Sequence, residues 1–213
     1  MKTDDLISML ANGVEAVEPN ALQRRYVTAL GWGAFGATLL MALWLGVRPD
    51  MVKAVALPMF WMKLAYPGVL LAGALLAVLR LSRPGTQLGR APLVMAAPVL
   101  AIWLMAAWIL MQATPAGRDE LIFGVSWSVC PAYIAALSVP VFVAVMWAMK
   151  GLAPTRPVVA GAAAGLASGS MGALIYALHC PEMAAPFLGI WYLLGMLIPA
   201  VAGGVLGRWL LRW

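Results

Sequence analysis

PLVMAAPVLAIWLMAAWILM, residues 92–111, is a run in which no side chain is charged and none carries an amide or a hydroxyl. As a helix rising about 1.5 Å per residue, it reaches ~30 Å, the thickness of a bilayer's hydrocarbon core. Lipid offers no partner to its backbone N–H and C=O groups, so the run must satisfy them internally, as a helix does. A membrane barrel would instead show segments of about 10 residues alternating between apolar and polar, and this run is apolar throughout.

Working outward, the same pattern recurs at Tyr26 to Val47, Leu57 to Leu79, Ala132 to Met149, Val158 to Leu178 and Phe187 to Leu206. The reading is an all-α membrane protein of six transmembrane helices joined by short loops. A 64% hydrophobic chain with mean hydropathy +0.92 and only 10% charged residues lies outside the range of soluble domains. Two parts are expected: an arm, residues 1–25, and a six-helix membrane domain, residues 26–213. The first 25 residues carry four acids and no apolar core with a small-residue cleavage site, so they do not read as a secretory signal.

Charge orients the spans. Lys2, Arg24, Arg25, Arg80, Arg83, Arg90, Lys150, Arg156, Arg208 and Arg212 fall on one side, against Arg48, Lys53 and Arg118 on the other. Positively charged short connections stay cytoplasmic, which puts both termini inside. These arginines also account for the basic balance without a nucleic-acid partner, since they face anionic headgroups of the lipid bilayer.

Gly161, Gly165 and Gly169 in the fifth span, with Gly203 and Gly207 in the sixth, form small-xxx-small spacings that allow close helix approach. They suit packing within the chain or a homo-oligomer. Pro67, Pro98, Pro140 and Pro199 are expected to interrupt backbone bonding inside spans. Lys63 is the one ionisable residue well inside a span. Snorkelling to the outer headgroups is its ordinary reading. The alternative is a buried cation paired with Asp119, Glu120, Glu182 or a thiolate.

Cys130 and Cys180 are the only cysteines, each is followed by proline, and both fall on the outer side. Three readings stand: a static disulfide, a redox or soft-metal sensor, and a catalytic dithiol. In the sensor, His179 completes a tentative metal set with Cys130 and Cys180, and Glu182 and Lys63 are further neighbours. No resident cofactor is expected beyond a transient heavy-metal ion at the cysteines. If Cys130 starts a helix, the helix dipole favours its thiolate. The cysteines do not form a CxxC pair and no second pair exists to relay electrons, which argues against a thiol oxidase. No phosphate-binding glycine loop or nucleophile elbow occurs, and there is one histidine, so no enzyme chemistry is visible.

Residues 3 to 18 read as a short cytoplasmic amphipathic helix, with Thr3 as N-cap and Asp4 and Asp5 in the first turn. Leu6, Ile7, Leu10, Val14 and Val17 share one face spanning about 100°, and Asp4, Asp5, Glu15 and Glu18 lie off it. An acidic amphipathic helix fits a groove on a protein partner better than an anionic membrane surface.

Several stretches resemble the NrsF-type anti-sigma factors of proteobacteria: Met1 to Ile7, Phe60-Trp61-Met62-Lys63-Leu64, Cys130-Pro131, Ala153-Pro154-Thr155-Arg156-Pro157, His179-Cys180-Pro181-Glu182, Trp191 to Gly195 and Gly207 to Trp213. They run in order along nearly the whole chain. The resemblance implies a bacterial inner-membrane protein that holds an extracytoplasmic-function sigma factor inactive and releases it when heavy-metal or oxidative stress reaches the periplasmic cysteines. It implies Cys130 and Cys180 as the sensing thiols, and Asp4, Asp5, Leu6 and Ile7 within the sigma-binding arm. The expected route of the signal is a shift of the fourth span against the loop between the fifth and sixth, carried by the glycine-lined packing. A small transporter or metal-export component using Lys63 and the outer thiols is the alternative, weakened by the lack of other charged groups to line a route.

Overall fold

The computed structural model describes residues 3–12, 20–83, 85–152 and 154–212, and every regular element among them is helical. In chain order these are α1 (Thr3–Asn12), α2 (Ala21–Trp44), α3 (Met51–Val55), α4 (Pro58–Leu81), α5 (Ala91–Gln112), α6 (Pro115–Phe123), α7 (Cys130–Lys150), α8 (Pro157–Tyr176), α9 (Ala185–Phe187), a π-helical turn (Leu188–Tyr192) and α10 (Leu193–Leu210). Six are long and apolar enough to cross a membrane: α2, α4, α5, α7, α8 and the composite Ala185–Leu210. The expected spans are all present, with ends displaced by a few residues. The first begins at Ala21 instead of Tyr26, because Gln23, Arg24 and Arg25 are good helix formers. Apolarity marks where lipid begins, and the helix continues past it.

Prolines set many of the starts. Pro58, Pro92, Pro115, Pro131, Pro157 and Pro186 each occupy the first or second helical position, where a missing N–H costs nothing. Pro67, Pro98, Pro140 and Pro199 lie inside helices, as the sequence indicated.

α8 is the central helix, packed against α10, α4 and α7, with α2 outside α7 and α5 outside α4. Two-thirds of its span (67%) is buried, against 6% for α5. Glycine explains the difference. A Cβ on Gly161 would strike the carbonyl of Gly203, one on Gly165 that of Pro199, and one on Gly169 would lie 2.7 Å from that of Met196. The α8 and α10 backbones therefore touch, gaining dispersion contacts that lipid cannot replace. This glycine face is closed within one chain and is not left for a second copy.

The connections bring distant segments to the two ends of the bundle. At one end, the Tyr26 hydroxyl near the start of α2 meets Ser82 Oγ just past the end of α4, 2.7 Å away and buried. At the other end, residues 46–48 after α2 meet residues 178–180 after α8, with the Arg48 N–H donating to the Leu178 carbonyl at 3.1 Å. α1 joins the chain at the first of these ends, and both cysteines sit at the second.

Candidate functional site: two thiols beneath a clamped loop

Cys130 is the first residue of α7, and its N–H closes a turn onto the Ser126 carbonyl at 2.9 Å. Cys180 lies in the connection between α8 and α9, held by its N–H to the Tyr176 carbonyl at 3.0 Å. Fifty residues apart in sequence, the two thiols are neighbours. Both are fully buried and unbridged. The Cys130 thiol hydrogen-bonds to Cys180, and this bond, with the Lys63 ammonium nearby, holds the Cys180 thiol below its ordinary range although burial pushes the other way. Cys130 does start a helix, the condition on which the sequence argument for its thiolate rested. Ser126 Oγ stands 3.9 Å from Cys180 Sγ.

Lys63 does not snorkel. It is completely buried, and its Nζ donates to the carbonyls of Cys180 at 2.6 Å and Glu182 at 2.8 Å, with the Tyr192 ring centroid 5.4 Å away. Snorkelling wins when headgroups are the nearest oxygens; here the loop supplies two carbonyls closer to hand. The expected carboxylate partners are engaged elsewhere or exposed. The Glu182 carboxylate accepts the Val125 N–H at 2.7 Å, and Asp119 and Glu120 are exposed on α6.

His179 is held by the connection after α2. Its Nδ1 lies 2.9 Å from the Gly46 carbonyl, which can only accept, so Nδ1 carries the proton. Among the described residues, no three His, Cys, Asp or Glu side chains converge as a metal set, so His179 and Glu182 are brought to the loop without joining the thiols as donors.

Sequence reasoning missed Arg48, which it had counted only as an outer charge. Arg48 is buried, and its guanidinium pairs with both Asp50 carboxylate oxygens at 2.7 and 2.6 Å and reaches the Cys180 carbonyl at 3.3 Å. The fork holds the Asp50 carboxyl below the usual carboxylate range and raises Arg48 in turn. Arg48-Pro49-Asp50, a cation and an acid one residue apart at a turn, was the available signal. The Cys180 carbonyl is thus held from two chain segments at once.

Aromatic side chains wall the site. Phe123, Trp127 and Trp191 stack at centroid distances of 5.2 to 6.2 Å, and the Trp191 indole donates to the Ile122 carbonyl at 2.8 Å. On the other side, Tyr176 lies 5.8 Å from His179 and 5.9 Å from Tyr192. The π-helical turn that presents Tyr192 is secured by the Trp103 indole, which donates to the Gly189 carbonyl at 3.0 Å. The two buried thiols are thus enclosed by aromatic side chains and by a loop held through its backbone carbonyls.

Of the expected arm helix, residues 3–12 are among those described. α1 includes Thr3 as its first residue, has Asp4 and Asp5 in its first turn, and is described to Asn12. Leu6, Ile7 and Met9 are exposed. Val14 and the rest of the expected helix to residue 18 lie outside the described residues, as does the Leu10 side chain.

Comparison with known proteins follows the chain from end to end. A family described as "Negative regulator of sigma F" matches residues 10–213. A protein of Azospira oryzae named "Probable anti-sigma-F factor NrsF" is 56% identical over 213 residues, covering all of both chains. A protein of Caulobacter vibrioides named "Anti-sigma-F factor NrsF" is 42% identical over 215 residues, again covering all of both. No solved structure matches.

Proposed function

The chain belongs to the negative regulator of sigma F family, and from that membership we propose that it is a membrane anti-sigma factor of the bacterial inner membrane. Its termini are cytoplasmic by the distribution of Lys and Arg. The arm, residues 1–25, holds an extracytoplasmic-function sigma factor, and the membrane domain, residues 26–213, governs release. Oxidation of Cys130 and Cys180, or capture of a soft heavy-metal ion by their sulfurs, is the trigger. The protein acts as a regulator and not as a catalyst, and the sigma factor, not this chain, meets nucleic acid.

One observation carries the reading: two buried thiols, one opening α7 and one in the loop held by Lys63 and Arg48, meet at the end of the bundle opposite the arm. A static disulfide has no need of such a clamp. A transport route would need Lys63 to face an aqueous path, and its ammonium is wholly buried against carbonyls. The exposed apolar residues Leu6, Ile7 and Met9 beside Asp4 and Asp5 support the arm as a groove-binding element.

The test is copurification from inner membranes of cells expressing the tagged chain with an extracytoplasmic-function sigma factor. Recovery that requires residues 1–25 and falls on diamide treatment is the expected result. Equal recovery with and without the arm would overturn the reading.

A further inference from the structure

We propose that Lys63 and Tyr26 make α4 the transmitting member of this protein: Lys63 fastens one end of the helix to the cysteine-bearing loop, and Tyr26 fastens the other to the root of the arm. The proposal rests on the regulatory reading above and names its internal route.

At the loop end, the Lys63 ammonium is fully buried and bonds two carbonyls, those of Cys180 and Glu182. The only ion pair among the described residues joins Arg48 and Asp50, so these carbonyls and the face of Tyr192, together with the nearby Cys180 thiol, are what stabilises the charge. A buried cation cannot drift from its acceptors by small degrees without losing its solvation, so the contact is made or broken as a unit. Displacement of Cys180 moves one of the two acceptors directly.

The helix is soft beside this contact. Pro67 has no N–H for the Lys63 carbonyl four residues before it, so the turn carrying Lys63 lacks one helical bond. The Lys63 turn can therefore follow the loop at lower cost than an intact turn.

At the far end, nineteen residues and about 28 Å along the axis, Ser82 Oγ donates to the Val78 carbonyl at 2.7 Å. A serine hydroxyl has one proton, so the 2.7 Å contact with Tyr26 is donated by the tyrosine. Tyr26 and Ser82 are buried, at 2% and 4% exposure. Tyr26 is six residues from Asn20, a left-handed residue (φ +77°) at which the chain turns into α2. A shift of α4 therefore reaches the arm through one specific bond. α7, the span expected from sequence to carry the signal, contains Cys130 and also meets the end of the arm, but through an exposed contact: Arg25 lies over the Trp147 ring, 5.6 Å from its centroid, and reaches the Trp147 carbonyl at 3.5 Å.

The experiment is amide hydrogen exchange of the full chain in nanodiscs, before and after diamide, with no sigma factor present. In the parent protein, exchange across residues 20–30 should change about fivefold or more, the lower end of ordinary coupling between sites. In Lys63→Met and in Tyr26→Phe that change should be lost, while diamide still consumes both thiols. Tyr26→Phe removes one oxygen and guards against a folding defect in the lysine variant. A diamide response at residues 20–30 that persists in Tyr26→Phe, or none in the parent, overturns the proposal. Because no sigma factor enters the measurement, failure of the capture reading alone leaves this result unaffected.

Discussion

The Lys63 ammonium lies 2.6 Å from the carbonyl of Cys180, and the residue that bears a thiol is thereby bound, through its backbone, to a helix that bears none. This contact, with that of Arg48 to the same carbonyl, fixes the backbone of the residue whose side chain is the thiol. Lys63→Met should show its size. The variant removes the cost of burying a charge but leaves the Glu182 carbonyl without this donor and the Cys180 carbonyl with only the longer Arg48 contact at 3.3 Å, an orphaned group costing about 1–3 kcal/mol. The expected net loss is ~1–3 kcal/mol, read as a lower Tm in detergent or nanodiscs. Unchanged Tm would show that the carbonyls find other donors.

Two sets of glycines should separate cleanly. Gly165→Ala places a Cβ against the Pro199 carbonyl, where backbone must move, and should cost about 1–3 kcal/mol. Gly31→Ala and Gly68→Ala meet nothing within 4 Å and should be neutral or stabilising by up to ~1 kcal/mol through helix propensity. Thermal unfolding of the three variants side by side checks this. Equal effects would mean that the α8–α10 contact is not tight.

The contrast between these glycines shows how far sequence can be read. The small-xxx-small spacing at Gly161, Gly165 and Gly169 was visible because it repeats with the helix, and the structure uses it within the chain. Spans were visible because lipid imposes one requirement on every residue of a run. Lys63 was left open between snorkelling and burial because its partners are backbone carbonyls of a loop over a hundred residues away, and a carbonyl has no sequence signature. The same holds for His179 with Gly46 and for Arg48 with Cys180. Glu182 was legible as a residue of interest but not as an acceptor for Val125 N–H, which depends on how two connections meet.

Cys180 should react with alkylating agents at lower pH than an ordinary thiol, whose pKa is about 8.5. The leading cause is the hydrogen bond from Cys130, followed among the favourable effects by Lys63. A depressed pKa means the thiolate persists as pH falls until the folded value is crossed, and the stability linked to it is present above the unfolded pKa and lost below the folded one. Cys130→Ala should shift the midpoint of the Cys180 rate profile upward. Mass-spectrometric labelling across pH would measure it, and a midpoint unmoved by that substitution would refute the assignment.

Glu182 ties the cysteine loop to the segment before α7 through Val125 N–H at 2.7 Å, beside Gly124, whose φ is +51°. Glu182→Gln retains an acceptor oxygen and should lose less than ~1 kcal/mol. Glu182→Ala leaves the amide without it and should loosen both connections. Amide exchange at Val125 is the direct readout: it should rise about tenfold in the alanine variant and little in the glutamine one. Equal exchange in both would place the protection elsewhere.

The arm offers a separation of function. Leu6 and Ile7 are 42% and 58% exposed, so replacing either with Asp removes little that stabilises the membrane domain, within about 0.5 kcal/mol. If the apolar face of α1 enters a groove on a sigma factor, each such residue contributes roughly 1.5–3 kcal/mol on burial, and its loss should weaken capture by about tenfold or more. Leu6→Asp should therefore leave Tm and membrane insertion unchanged while abolishing copurification at low concentration. Asp4→Asn and Asp5→Asn test the other half of the arm: if the acids meet a basic rim, the loss should be smaller and should fade at high salt, where screening shortens electrostatic reach to a few ångströms. Loss of capture by the apolar substitution with none from the acids would assign the affinity to the groove, and undiminished capture by Leu6→Asp and Ile7→Asp together would move the contact away from α1.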